Sequence, residues 1–333
     1  MAVAGARYHT GYDHAMYLHQ YTIYQKYGFF TREFEPLFMW VTQLMSGAHV
    51  HYFFYFAFWA GVQFLFCIYS CRHNKRLLPW LCLNIVLGPF WIYLMNSMRE
   101  GVVASLFLSM LPLIVHRKFW FYALITFIAV GIHKSALLMI PLYFIGFIDL
   151  KPSRRASLLL LVLLAGFIAI GTNPFWLKSI LRIFVSLNLL SDQYLTIAEP
   201  MMNGQFKESN WGLISIIALS LNIITICIYP KLRAYFEHDK ILPVVFVMVI
   251  AYCCCYYAFA NTHHLFLRPF DLLMFSKELI FAYVAVFFFE NRKWLLLMLF
   301  SLLNYSLVYL SIAKAIAIPT KVNQQILYHF FFI

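Results

Sequence analysis

Residues 96–141 read NSMREGVVASLFLSMLPLIVHRKFWFYALITFIAVGIHKSALLMIP. An Arg-Glu pair opens one apolar run, a basic His-Arg-Lys turn closes it, and a second apolar run is interrupted by Gly-Ile-His-Lys. Charge inside membrane-length apolar segments is costly, so each such residue is a candidate for function. The whole chain shares this character. Its 333 residues are 63% hydrophobic, 20% aromatic and only 11% charged, whereas soluble domains carry about 25% charged residues. The repeated apolar runs have helix-spanning length rather than short alternation, which favours a helical bundle over a barrel. The expected fold class is an all-α polytopic integral membrane protein with about ten membrane helices.

Outward from that stretch, runs near 52–70, 77–95, 100–115, 156–172, 211–229, 241–260, 273–289 and 294–313 are apolar enough to cross a bilayer. Alternate connections collect basic residues: Arg72, Lys75 and Arg76; Arg117 and Lys118; Lys151, Arg154 and Arg155; Lys231, Arg233 and Lys240; Arg292 and Lys293. The positive-inside rule makes these loops cytoplasmic. The net charge of +12 is then mostly an orientation signal, and no soluble domain is large enough to present a nucleic-acid-binding patch.

The run 119–148 lies between two cytoplasmic loops and must enter and return, breaking near Gly131 to Lys134. As α-helix, each arm of some 13–15 residues would reach about 20 Å, short of the roughly 30 Å hydrocarbon core. A short broken or re-entrant pair is expected, with His133 and Lys134 at its tip. Non-helical backbone at that depth needs protein or a water-filled cavity around it.

The same alternation puts residues 1–50, the turn 96–99, the segment 173–210, the loop 261–271 and the tail on the outer side. Two regions follow: an outer N-terminal segment, 1–50, and a transmembrane domain, 51–333, carrying a large outer loop at 173–210. The amphipathic piece 175–190 in that loop suits a lid or an interfacial helix. Trp91, Trp176 and Trp211 would mark the outer boundary, and Trp80, Trp120 and Trp294 the inner one. The seven cysteines fall in or beside apolar runs, as small hydrophobes do. Residues 1–50 contain no secretory apolar region, so the natural start is expected to lie upstream.

The outer side gathers Arg7, Asp13, Glu35, Arg99, Glu100, His133, Lys134, Arg268 and Asp271. Arginine holds phosphate through its planar fork and fixed charge. A carboxylate or imidazole can take a proton from an attacking hydroxyl. These are the parts needed to transfer a group from a phosphorylated lipid donor. Plainer readings stand beside each: Arg99 with Glu100 as a structural ion pair, His133 as a core histidine, Lys134 as a snorkelling side chain, and Glu35-Pro36 as the end of a loop. His9 and His14 flank Asp13, but no ligand cluster follows them and no metal is expected.

The order of short motifs resembles the EpsG/Wzy-type family of bacterial polysaccharide repeat-unit polymerases. The family pattern R-x-x-x-G-x-D-x-x-x-Y is matched by Arg7, Gly11, Asp13 and Tyr17. Glu35-Pro36, Arg99, and then His133, Ser135 and Ala136 of H-x-S-A follow in order, and Arg268 resembles a later family arginine. Glu100 stands where the family often has Gln, and a membrane span usually precedes the first motif, whereas here Ala-Gly-Ala-Arg-Tyr lies near the start of the sequence, which agrees with the expectation of a natural start upstream. The resemblance implies a glycosyltransferase of the bacterial inner membrane that polymerises undecaprenyl-diphosphate-linked oligosaccharide units on the periplasmic face. O-antigen (lipopolysaccharide), capsule or exopolysaccharide would be the product.

On that reading Arg7, Arg99 and Arg268 hold the diphosphate. Asp13, Glu35 or His133 serves as base or positions the acceptor, with Glu100, Lys134 and Tyr17 in support. No cofactor or metal is expected, because the donor is already activated. The partners implied are the lipid-linked oligosaccharide, membrane lipid, and flippase and chain-length regulator proteins, with no nucleic acid. An O-antigen ligase-like transferase, a membrane acyltransferase and a polysaccharide or small-molecule transporter are the alternatives. A transporter should show repeated halves with paired broken helices, and the sequence offers one broken hairpin.

Overall fold

The computed structural model describes residues 13–88, 96–148, 150–173, 175–186, 199–201, 203, 212–262 and 266–317. Among these, no strand occurs. The helices are α1 His14–Tyr27, α2 Pro36–Gly47, α3 Tyr52–Ser70, α4 Leu78–Leu87, α5 Met98–Ser109, α6 Leu111–Val115, α7 Phe119–Val130, α8 Met139–Leu142, α9 Arg154–Thr172, α10 Phe175–Ser186, α11 Leu213–Tyr235, α12 Ile241–Ala258, α13 Asp271–Glu290 and α14 Trp294–Ala317. Six of them, α3, α9, α11, α12, α13 and α14, are long and apolar enough to span a membrane. The protein is a multi-pass helical membrane protein.

Burial sorts these helices into layers. Nearly every side chain of α5 is buried, and α12 and α13 are buried over most of their length. Helices that are apolar on all sides belong in the middle of a bundle. Around them, α9, α11 and α14 bury little and turn Leu158, Leu159, Val162, Leu295, Met298 and Leu302 outward, as lipid-facing helices do. The packing pairs are α3 with α5, α12 with α13, and α9 with α12.

Two expected spans are modified. The run 100–115 is two helices rather than one. Pro112 has no amide to donate to the Leu108 carbonyl, α5 stops at Ser109, the Leu113 amide donates to the Met110 carbonyl, and the Ser109 carbonyl accepts a hydrogen bond from Arg72 Nη1 at 2.9 Å. The run 211–229 continues as helix to Tyr235 through Pro230.

The run 119–148 breaks where charge alternation places the break. α7 ends at Val130, and the return arm is 3₁₀ helix over Lys134–Leu138, one α-turn, then 3₁₀ over Tyr143–Phe147. A 3₁₀ helix rises about 2.0 Å per residue against 1.5 Å. The return arm is therefore drawn out, and Arg117 closes its far end over the Phe147 ring at 3.5 Å.

Of the six boundary tryptophans, Trp80 packs on Phe289 and Phe289 on Trp294. Trp120 is exposed, Trp176 packs on Phe259, and Trp91 and Trp211 lie outside the described residues. At the Glu290 end of α13, His73 Nε2, the Tyr283 hydroxyl and Asp239 Oδ2 form a chain of hydrogen bonds at 2.9 and 2.8 Å. Asp239 Oδ1 also accepts from the first amide of α12, Ile241, at 2.9 Å.

Candidate functional site

The opposite end of α13 begins at Arg268 and Asp271, and the residues singled out by sequence converge there on the start of α2. Pro36 occupies the first turn of α2 behind an extended Glu35, an arrangement that suits proline because its missing amide is not needed there. The next two amides, Leu37 and Phe38, would be orphans of the helix start. Both donate to the Gly131 carbonyl, at 2.8 and 3.1 Å. The Glu35 carboxylate returns the connection: Oε1 accepts from the Lys134 backbone amide at 3.1 Å. The tip of the broken hairpin is thus sewn to the start of α2 from both sides. Gly131 packs closely here: a Cβ would stand 3.0 Å from Leu37 Cβ, so a side chain would require Leu37 to give way by a few tenths of an ångström.

Glu35 Oε2 accepts from Arg99 Nη1 in a direct ion pair. Arg99 Nε donates to the Tyr17 hydroxyl at 3.1 Å. The guanidinium lies 4.6, 5.5 and 5.8 Å from the ring centres of Phe34, Phe38 and Tyr17, close enough for cation–π attraction. One arginine therefore joins α1, α2 and α5, and the hairpin joins through Glu35. Arg99 does not pair with its neighbour Glu100 as a local ion pair would. Consecutive helical residues point in different directions, and Glu100 is buried on another side of α5.

Asp13 stands one turn before Tyr17, whose amide donates to the Asp13 carbonyl. The Asp13 amide donates to Asn96 Oδ1 at 3.3 Å, tying this end of α1 to the entry of α5. Burial raises the Asp13 carboxyl above the ordinary carboxylate range, against the opposing charges of Arg268, Arg99 and Arg32. Glu35 goes the other way. Burial works to raise it, but Arg99 and the backbone amides of Glu35 and Lys134 outweigh burial and hold it low. His133 stands in the turn between the two arms. Its Nδ1 accepts from the Ser135 amide at 3.2 Å, which leaves the ring proton on Nε2.

Arg268 is exposed, and its charge bears on both Asp13 and His133. Lys134 contributes its backbone amide to the knot while its side chain is exposed. Arg7 lies outside the described residues. His14 is buried, with its ring stacked on Phe56 at 4.6 Å, and no metal-ligating cluster occurs among the described residues. Sequence reasoning did not assign roles to Phe34, Phe38 and Asn96. The Phe-Glu-Pro-Leu-Phe stretch was the available signal, since its two phenylalanines bracket Glu35 and both face Arg99.

A half-buried arginine paired with a buried carboxylate, an adjoining acid of raised pKa and an exposed second arginine gather at one end of the bundle, and arginines so placed have the chemistry to meet an anion. The chain belongs to the EpsG family, whose match covers residues 1–330, and that family comprises Wzy-type polysaccharide polymerases. Neither curated proteins nor solved structures give a match.

Proposed function

We propose that the chain polymerises undecaprenyl-diphosphate-linked oligosaccharide units at the Arg99 end of the bundle, and that this end faces the periplasm of a bacterial inner membrane. The observation that carries the reading is the division of labour between two carboxylates. Glu35 is engaged in fixing Arg99 and the hairpin tip, whereas Asp13, within the field of the same Arg99 and of Arg268, is raised above its ordinary value by burial, the direction that suits a proton acceptor.

In the step proposed, the acceptor hydroxyl attacks the anomeric carbon of the donor and gives its proton to Asp13. The new C–O bond forms as the bond to the lipid diphosphate breaks, and the diphosphate leaves with the electron pair. Arg268 and the remaining N–H groups of Arg99 receive that charge, with Arg7 joining them. Preformed donors of this kind cost no reorganisation at the moment of reaction. His133, neutral with Nε2–H, orients a sugar oxygen rather than removing a proton. Tyr17 fixes the guanidinium plane, and Glu100 and Lys134 shape the surrounding field. The topology proposed has about ten membrane segments, with residues 1–50 and the loop 173–210 on the periplasmic side. Flippase and chain-length regulator proteins are the expected partners.

Polymer laddering in a deletion strain complemented at matched membrane expression tests the reading. Wild type should restore the ladder, and Asp13→Asn and Arg99→Ala should leave single repeat units. A full ladder in the deletion strain, or in both variants, would overturn it.

A further inference from the structure

A second polar site lies deep in the bundle, on residues that no step above uses. Glu278 sits in the middle of α13 and is 6% exposed, yet its Oε2 meets no donor among the described residues. Asn222 of α11 and Asn304 of α14, 3% and 1% exposed, have side-chain oxygens in the same condition. Their nitrogens are committed elsewhere: Asn222 Nδ2 donates to the Tyr257 hydroxyl at 3.1 Å and Asn304 Nδ2 reaches Asn84 Oδ1 at 3.5 Å. All three residues line one cavity of about 210 Å³, together with the Tyr252 and Tyr256 side chains and Lys277.

Unsatisfied buried acceptors cost roughly 1–3 kcal/mol each, more for a charged one. Three around a single cavity specify what fills it. The occupant must donate several hydrogen bonds, so a hydrocarbon tail does not fit, and a phosphate, though Lys277 could meet it, would bring its oxygens to the three acceptor oxygens. The space, about 210 Å³, is far more than a single water molecule needs. A bare cation would leave most of that space against apolar wall. A six-membered ring bearing hydroxyls has the right volume, donors for the acceptors and a C–H face for the tyrosine rings.

The cavity also has a direction. Asp271, Met274, Glu278 and Phe281 recur at helical spacing on one face of α13. Glu278 lies about 10 Å along the axis from Asp271 at 1.5 Å per residue, so this face runs from the Arg268 end inward. We propose that the cavity lined by Glu278, Asn222 and Asn304 is an intramembrane binding site for a single sugar ring. The proposal stands on this cavity alone and does not require the transfer reaction.

The test uses the full chain in lipid nanodiscs. Glu278 is modified with dicyclohexylcarbodiimide and followed by peptide mass spectrometry, with methyl β-glucoside, methyl β-galactoside or N-acetylglucosamine as the probe. At about four times its Kd, a probe should slow modification about fivefold. The Asn222→Leu/Asn304→Leu variant, which keeps Glu278 as reporter, should lose that protection while eluting as a folded species. Equilibrium dialysis of the tritiated glycosides gives a second measure when the carbodiimide does not reach Glu278. Protection by sodium chloride alone, or glycoside binding equal in wild type and double variant, would overturn the proposal. A lost ladder in Asp13→Asn with glycoside binding intact bears on the transfer reading and leaves this one standing.

Discussion

The two ends of α13 carry similar side chains put to different use. At the Glu290 end, Asp239 holds Tyr283, His73 and the Ile241 amide, while Glu290 accepts from Arg76 Nη1 at 3.1 Å and from the Tyr235 hydroxyl. These acids close loops. At the Arg268 end, one carboxylate, Glu35, performs the same structural service with a half-buried arginine and two backbone segments. Among the described residues, the side chains of Asp13 and Arg268 make no hydrogen bond or ion pair of this kind, and Asp13 feels the charge of Arg268 and Arg99. The lesson is that a polar cluster in a membrane bundle becomes a candidate for chemistry when its structural work is finished and titratable groups remain. The count of charges does not distinguish the two ends.

The largest expected effect is on Asp13. Asp13→Asn removes the proton acceptor and should lower polymer formation by about 10²–10⁴, while thermal unfolding of the purified protein stays near wild type. Arg99→Ala should lower polymer formation by about 10²–10³ and also destabilise the fold by about 3–5 kcal/mol, because Glu35 is left as a buried unpaired charge. Arg99→Lys should behave similarly, since an ammonium cannot reproduce the fork that spans Glu35 and Tyr17. An intact ladder in either arginine variant would remove the contrast between the two ends.

The acids also separate by pH. Glu35 is held below its ordinary value of 4.5 in the folded protein. Its contribution to stability is therefore present above that value and lost as pH falls through the folded pKa. Melting temperature should fall across that acid window in wild type, with the fall much reduced in Glu35→Gln. Asp13 is raised above 3.8, so the rate should drop as pH falls through the raised value, and Asp13→Asn should lack that limb. At the other end, Asp239→Ala should cost about 0.5–2 kcal/mol through the lost helix-start bond, with the ladder unchanged. Arg76→Ala should cost less than about 1 kcal/mol, because its side chain is 55% exposed.

Much of this was legible beforehand, for reasons that can be named. The broken hairpin followed from basic loops on both sides of a run too long for one crossing and too short for two. Glu35, Arg99 and His133 stood out because charged residues near apolar segments are few. What joins Glu35 to Lys134, however, is a backbone amide, and no residue type signals that. The stop at Ser109 was hidden because Pro112 also suits a helix start. Glu278 lies within the apolar run 273–289, but sequence reasoning did not single it out. Its significance depends on Asn222 and Asn304, which come from other helices and carry no common spacing.

The bond between the Lys134 amide and Glu35 spans 99 residues. At roughly 5–20 residues per second, the ribosome needs about 5–20 s to make the chain that completes it. Through that interval α2 lacks the Gly131 carbonyl that its first amides meet in the finished fold, and Arg99 is synthesised 35 residues ahead of Lys134. The N-terminal layer is therefore made first and finished late. During biogenesis its unsatisfied acid and amides depend on water or an insertion factor, and the site closes only as the hairpin folds back into place.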